Sequence, residues 1–535
     1  MTTTSTEQPP RPSAAPTDDS GAPGTATEHH RVIVIGTGFG GIGTAIALRR
    51  HGFSDVVLLE KADDVGGTWR DNTYPNCQCD VPSNLYSFSH TPNPEWSRTF
   101  APQGEIQNYL RGVVDAEKLR PLIRFGHEVT EARWNADVSR WDITTPAGRF
   151  SAEVLVSAHG GLSAPAVPDI EGLDQFEGTV FHSANWNHDH DLAGERVAVI
   201  GTGASAIQIV PGIVDTVGHL DVYQRTPAWI VPRLDREVSE RQKTWYRRLP
   251  TLQLANRAVQ YASRELMAIA LTRRPALLRF PERAARDHLE RQVPDPALRA
   301  ELTPTYQIGC KRILLSNDFY PALQKPNAEL ITGGVSRITA TGVVDTHGTE
   351  RPVDTIVLAT GFNVTQHPIA GKVFVADGVS LAERWNNGMR AYLGTTLDGF
   401  PNFFALMGPN TGLGHSSIVY MLESQINYVL DCLLHMDAER IATYEVRPDA
   451  VATFDAEMQK RLASSVWNQG GCASWYLDST GRNTVMWPGF TFEFRRRLKH
   501  FDPSAYTAVS RPGVPGRFGP EAPNAAVASA GAVAT

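Results

Sequence analysis

Two short segments, 165 residues apart, constrain this 535-residue chain more than anything else in it. The apolar, β-branched run Arg31 to Ile35 leads directly into Gly36, Gly38 and Gly41, and Arg196 to Ile200 leads into Gly201, Gly203 and Ala206. Such a run, without polar alternation, is the pattern of a strand buried on both faces of a parallel sheet. Glycines in G-x-G-x-x-G/A spacing then let the backbone turn tightly and bring main-chain N–H groups and a helix N-terminus against a pyrophosphate. The repeat predicts an α/β fold with two Rossmann-like dinucleotide-binding domains.

The two copies differ 24 residues on. From Gly36 the count reaches Glu60, after the apolar run from Val56; from Gly201 it reaches Arg225, after the run His219 to Tyr223. A carboxylate there accepts from a ribose diol and repels a 2′-phosphate, whereas a guanidinium binds that phosphate through paired N–H groups. The first loop therefore suits FAD and the second NADPH, with Thr226 adding a hydroxyl beside Arg225. In the bland alternative the glycines only permit helix packing, Glu60 is a solvated strand end and Arg225 a surface charge. Two dinucleotides imply a hydride path from NADPH to FAD. The paired cysteines a disulfide reductase needs after its first loop are absent, which leaves dioxygen as the expected acceptor.

At roughly 150 residues per domain, the length allows two to four domains. Apolar runs ending at Gly160 and Gly361 mark where the chain crosses between the two units. The expected order is a disordered tail (1–29), a first part of the FAD domain (30–165), the NADP domain (166–385), a second part of the FAD domain (386–510) and a disordered tail (511–535). Between about 234 and 305, Arg, Leu, Ala and Glu dominate, with prolines at 250, 275, 281, 294 and 296, the punctuation of a helical insertion in the NADP domain.

Charge and cysteine usage narrow the partners. Lys and Arg number 50 against 57 Asp and Glu, a formal net charge of −7 with no long basic run, which argues against nucleic acid. No stretch of 18 apolar residues predicts a transmembrane helix, and the first 30 residues lack a signal peptide's charged start and apolar core, so a cytoplasmic location is expected. Cys77, Cys79, Cys310, Cys432 and Cys472 have neither zinc-knuckle nor redox-pair spacing. They read as ordinary thiols of a reducing compartment, and no metal site is expected.

Between the loops, Phe176, Gly178, His182 and Trp186 fall in the spacing F-x-G-x-x-x-H-x-x-x-W, which resembles the fingerprint of type I Baeyer–Villiger monooxygenases, a family of class B flavoprotein monooxygenases. Asn187 stands where that family has Pro or Asp. Gly66, Gly67, Trp69, Tyr74, Pro75 and Asp80 resemble its second signature, with Asn76 in place of the usual Gly or Met. With both loops and the segment around Lys311 and Arg312, the resemblance spans about residues 30 to 500.

The resemblance implies an FAD-containing enzyme that uses NADPH and O2 to convert ketones to esters or lactones through a C4a-peroxyflavin. It implies that Arg312 is the active-site cation and Asp80 the carboxylate that orients it. Elementary electrostatics agrees, because a peroxide anion attacking a carbonyl builds an anionic adduct that a fixed cation stabilises. By the same resemblance Gly67, Trp69 and Asp80 join the FAD site, and Lys311 and Thr226 help Arg225 with the 2′-phosphate. The resemblance also implies that Trp475 contacts the nicotinamide cofactor. His182 and Trp186 sit in the domain linker, where His182 couples cofactor position to domain movement. Gly408 to Ser417 reads as a backbone-rich loop opening a helix at about Ile418. Alternatives stay open: Asn76 and Asn187 favour a flavin N- or S-oxygenase acting on amines or sulfides, Asp80 and Arg312 also read as a structural ion pair, and His182 and Trp475 as core side chains. Neither the ketone nor the oligomeric state is readable.

Overall fold

The computed structural model describes residues 26–364, 367–478 and 480–511. Most of both expected tails, 1–25 and 512–535, lies outside the described residues. The ends that are described correct the expected boundaries. Glu28 and His29 already pair with Phe150 and Ser151 in a strand running Glu28–Ile35. Arg511 donates its backbone N–H to the Arg440 carbonyl (2.9 Å) and its guanidinium meets Glu153 (3.0 Å).

The first apolar run forms the strand its composition dictates. Glu28–Ile35 lies between Val56–Leu59 and Gly148–Ser157, parallel to both, with Val32, Ile33 and Val34 fully buried. Ile123–Arg124 extends the sheet on one side, and Arg140–Thr145, Glu131–Asn135 and Val373–Phe374 on the other, while Phe403–Ala405 joins beside the end of Gly148–Ser157. Val373–Phe374 belongs to this sheet, so the chain returns to it before residue 373 rather than at the expected 386. A two-residue strand carries too little pattern to reveal that return.

The second apolar run, Arg196–Ile200, is the centre of five parallel strands in the order Ala328–Thr332, His219–Gln224, Arg196–Ile200, Thr355–Leu358 and Thr179–His182. The two sheets are the cores of two Rossmann-like units. Within the second unit's sequence, the helices Glu240–Arg248, Pro250–Thr272, Arg279–Gln292 and Pro296–Glu301 follow one another. Ser239 caps the first, its hydroxyl accepting from the Gln242 N–H (3.2 Å), and Asp295 caps the last. Pro250 opens the longest at its first position, where an N–H would have no helical partner anyway.

Cys310 and Cys472 are joined by a disulfide across 162 residues, which corrects the reading of five plain thiols. Spacing rules detect local pairs, and here the fold joins the segment before Lys311 and Arg312 to the one before Trp475. Cys77, Cys79 and Cys432 are buried free thiols.

Candidate active site

The helix Phe39–Arg50 begins inside the first glycine loop. A Cβ on Gly41 would lie 1.9 Å from the Gly36 carbonyl oxygen, so this turn closes only on glycine. The Gly66 N–H donates to the Thr37 carbonyl (3.0 Å), and a Cβ on Gly67 would meet the Gly38 Cα at 3.2 Å, so the second signature is pressed against the first loop. Trp69 is buried there and donates its indole N–H to the Tyr86 hydroxyl (3.2 Å). Glu60 is buried at the mouth of the loop. One carboxylate oxygen accepts from the Thr37 N–H (2.9 Å) and hydroxyl (2.6 Å), the other from the Ala62 N–H (3.0 Å) and Arg70 (2.8 Å). Burial works to raise this carboxyl, but Arg70, Thr37 and Ala62 together hold it below its ordinary value, so it is an anion at neutral pH.

The second loop repeats the turn. The Gly201 N–H donates to the Tyr223 carbonyl (3.1 Å), open space lies over Gly203, and buried Ala206 starts the helix Ala206–Ile213. Arg225 follows the strand His219–Gln224 and is exposed. Thr226 is positioned by its carbonyl, which accepts from the Thr202 hydroxyl (3.3 Å). Burial, then the charge of nearby Arg225, lowers the Lys311 ammonium below its ordinary value. Two cations held together without a carboxylate partner among the described residues are what a phosphate dianion needs.

An ion pair joins Asp80, from the segment that follows the first loop, to Arg312, from the segment that follows the helical insertion. Arg312 donates from Nε to one Asp80 oxygen (2.6 Å) and from Nη2 to the other (2.7 Å). Its Nη1 reaches the Leu413 carbonyl (3.4 Å) in the glycine-rich loop, which ends at Ser417, the N-cap of the helix Ile418–Ala438. These three contacts leave two of the five guanidinium N–H groups undirected. Both side chains are surrounded by protein yet keep 35% and 29% of their surface open, so they are not closely packed on every side. Asp80 raises the Arg312 pKa more than burial lowers it. Burial would raise Asp80, and the Arg312 charge holds it below the usual carboxylate range.

The chain as a whole has known counterparts. Residues 33–258 match the family described as pyridine nucleotide-disulphide oxidoreductase. A Baeyer–Villiger monooxygenase of Streptomyces coelicolor is 52% identical over 499 residues, covering 93% of this chain and 96% of that protein. The chain belongs to the Baeyer–Villiger monooxygenase family. Another of these enzymes, from Pseudomonas aeruginosa, is 47% identical over 489 residues, 91% of this chain and 93% of its own. Among solved structures, a steroid monooxygenase bound to NADP superposes with a TM-score of 0.79 at 31% identity, covering 90% of this chain and all of that one. A closed cyclohexanone monooxygenase gives 0.79 at 27%, covering 91% and all of its own chain.

Within this family member, both departures from the family signatures have local explanations. Asn76 has φ +62°, in the left-handed region, and sits in a turn closed by the Cys77 N–H on the Tyr74 carbonyl (3.1 Å). Asn is the side chain that best replaces Gly in that region. Asn187 accepts the Asp189 N–H on its side-chain oxygen (3.1 Å), the same local turn an Asp makes. His182 is the last residue of the edge strand Thr179–His182, buried, accepting the Ala184 N–H on Nδ1 (3.1 Å) and packed edge-on to Phe362 at the return crossing. Trp186 packs on Phe181 with ring centres 5.0 Å apart. Trp475 is 48% exposed and stands on edge to Tyr476.

Three side chains beside the ion pair carry no motif. Tyr476 is buried, with its phenol pushed up to about 12 by burial, against the opposing Arg312 charge. Arg264, on the helix Pro250–Thr272, and Arg233 both act on Asp80 through their charge, and burial lowers the pKa of each. Arg233 also donates to the Cys79 carbonyl (2.8 Å). Only the fold brings these positions to Asp80.

Proposed function

We propose that the site around Asp80 and Arg312 is where this FAD-containing, NADPH-dependent Baeyer–Villiger monooxygenase converts ketones to esters or lactones. The observation that carries the reading is the bidentate Arg312–Asp80 pair, whose two side chains keep about a third of their surface open.

The glycine cradle at Gly36, Gly38 and Gly41, with anionic Glu60 at its mouth, fits FAD: main-chain N–H groups take the pyrophosphate, Glu60 the ribose, and Gly67 and Trp69 support the loop. Gly201, Gly203 and Ala206, with Arg225 and Lys311 close to each other and without a carboxylate partner among the described residues, and Thr226 beside Arg225, fit NADPH, and half-exposed Trp475 would be free to contact it. When bound, these cofactors supply two electrons and the activation of dioxygen. The protein's own contribution at the reacting carbonyl is electrostatic. Asp80 fixes the plane of Arg312 through two charge-assisted bonds, and the two remaining N–H groups stabilise negative charge on the oxygen being transferred and on the carbonyl oxygen as it is attacked. His182, locked at a strand end against the Gly361 crossing, transmits the position of the NADP unit rather than moving a proton.

Among the described residues no helix is long and apolar enough to cross a membrane. We place the enzyme in the cytoplasm because its electron donor, NADPH, is regenerated there. The test of the site is Arg312→Ala in the FAD-loaded enzyme. Ester formation should fall about 10²- to 10³-fold, the usual effect of removing one stabiliser of developing charge, while FAD content stays unchanged. Undiminished ester formation would move the active site elsewhere.

A further inference from the structure

Among the described residues, nothing packs on the outer face of the helices between residues 240 and 292. On the 23-residue helix Pro250–Thr272, Leu252, Ala255, Val259, Ala262 and Leu266 recur at alternating three- and four-residue steps, and all five are exposed, Val259 and Leu266 at 69% and 68%. That spacing places them in one stripe along the helix. Trp245, Leu249 and Leu254 on the N-terminal side and Leu277 and Phe280 on the C-terminal side are exposed as well. These eight large side chains, Ala255 and Ala262 aside, are about half of the exposed large hydrophobics among the described residues.

Charge accompanies the apolar surface. Between residues 240 and 286 the sequence has eleven Lys and Arg against three Glu, in a chain whose formal charge is −7. Arg257 and Arg264 point inward, Arg257 to the carbonyls of Asn84 and Ser87 and Arg264 toward Asp80. Arg241, Arg247 and Arg248 are exposed at one end of the stripe, and Arg273, Arg274 and Arg279 at the other. Arg247 and Arg273 meet Glu95 and Glu493, but Arg241, Arg248, Arg274 and Arg279 have no carboxylate partner among the described residues. At the first end a shallow depression of about 400 Å³ is lined by Ser239, Arg241, Gln242, Trp245 and Leu252, an apolar floor with a cation at its rim.

We propose that this face docks peripherally on a bilayer surface rich in anionic phospholipid, with the long helix lying in the interface plane. An apolar stripe flanked by arginines with a Trp at its edge is the pattern of an interfacial helix. Charge selects lipid over a second copy of the chain. Arginine clusters stand at both ends of the stripe, so packing two copies of the helix against each other, parallel or antiparallel, sets Arg against Arg. A negative lipid surface neutralises both ends at once, and the cytoplasmic leaflet supplies one.

The test is co-sedimentation of the FAD-loaded full chain with vesicles of phosphatidylcholine alone or with about 30 mol% phosphatidylglycerol. Binding should require the anionic lipid and collapse at about 0.5 M salt, where charges are screened within a few ångströms. Arg248→Glu with Arg274→Glu should weaken it by more than about 25-fold, each arginine near a membrane being worth about fivefold in partitioning. Leu252→Ser, Val259→Ser and Leu266→Ser together should abolish retention. Both variants should keep wild-type turnover of a water-soluble ketone, which reports that they fold. Equal sedimentation with either vesicle, or wild-type binding by the two folded variants, overturns the proposal. So does a wild-type dimer that the triple substitution converts to monomer, which would assign the face to a second copy.

Discussion

Asp80→Asn is the most informative single change. The side chain keeps its shape and one acceptor, but the second oxygen becomes an NH2 group facing the Arg312 N–H that now donates at 2.6 or 2.7 Å. One charge-assisted bond, worth about 1.5–3 kcal/mol, is lost, and the neutralising charge with it. Breaking a fully buried pair costs about 3–5 kcal/mol. This pair is about one-third open, so screening brings the figure to about 2 kcal/mol. If that energy holds the guanidinium plane in place during oxygen transfer, 2 kcal/mol is about 30-fold in rate. The assay measures ester formed and NADPH consumed in the same reaction. The ester rate should fall about 30-fold while NADPH consumption continues, so the ratio of product to NADPH collapses and the KM for NADPH moves less than about twofold. A variant that stays fully coupled at the wild-type rate would refute the orienting role and leave the pair structural.

Other outcomes follow from the same structure. Arg225→Ala should raise the KM for NADPH by about 10- to 100-fold and leave that for NADH nearly unchanged, because a charge-assisted pair to the 2′-phosphate is worth about 1.5–3 kcal/mol; equal changes for both would dissociate Arg225 from that phosphate. His159 and His367 lie with ring centres 4.2 Å apart and, among the described residues, no hydrogen-bond partner on any ring nitrogen, and burial lowers the His367 pKa to about 4. The unfolded chain takes up protons below about pH 6.5 that folded His367 refuses, so its contribution to stability is complete above that pH and is lost progressively down to about pH 4, a change of about 3 kcal/mol. Urea unfolding across that range should show His367→Phe losing less stability than wild type; parallel curves would contradict the burial of a neutral imidazole. Thiol titration in denaturant without reductant should find three free cysteines, and five would exclude the Cys310–Cys472 bridge. Closing a loop of that length is worth about 5 kcal/mol in the chain-entropy picture, so reduction should lower the melting temperature by several degrees.

What could be read in the sequence was carried by short-range pattern. The strand, glycine turn and helix of each loop lie within some twenty residues, and the offset to Glu60 or Arg225 is set by the length of one helix and one strand, so local text specifies both. Residues brought together by distant crossings left no local signal. Arg264 and Tyr476 are 184 and 396 residues from Asp80, and Cys310 is 162 from Cys472. Glu28 and His29 look like tail because a strand's polar first residues do not alternate, yet their backbone pairs with Phe150 and Ser151. Asn76 and Asn187, the two letters that favoured an N- or S-oxygenase, lose that weight once a left-handed turn and a side-chain-closed turn account for them.

The most direct measurement is mass spectrometry of products after the FAD-loaded enzyme is incubated with NADPH, 18O2 and a mixed panel of ketones, sulfides and tertiary amines. A Baeyer–Villiger monooxygenase with Arg312 and Asp80 at its centre gives esters or lactones carrying one 18O, and Arg312→Ala removes them. Sulfoxides or N-oxides without any labelled ester, or labelled ester that survives Arg312→Ala undiminished, would contradict it.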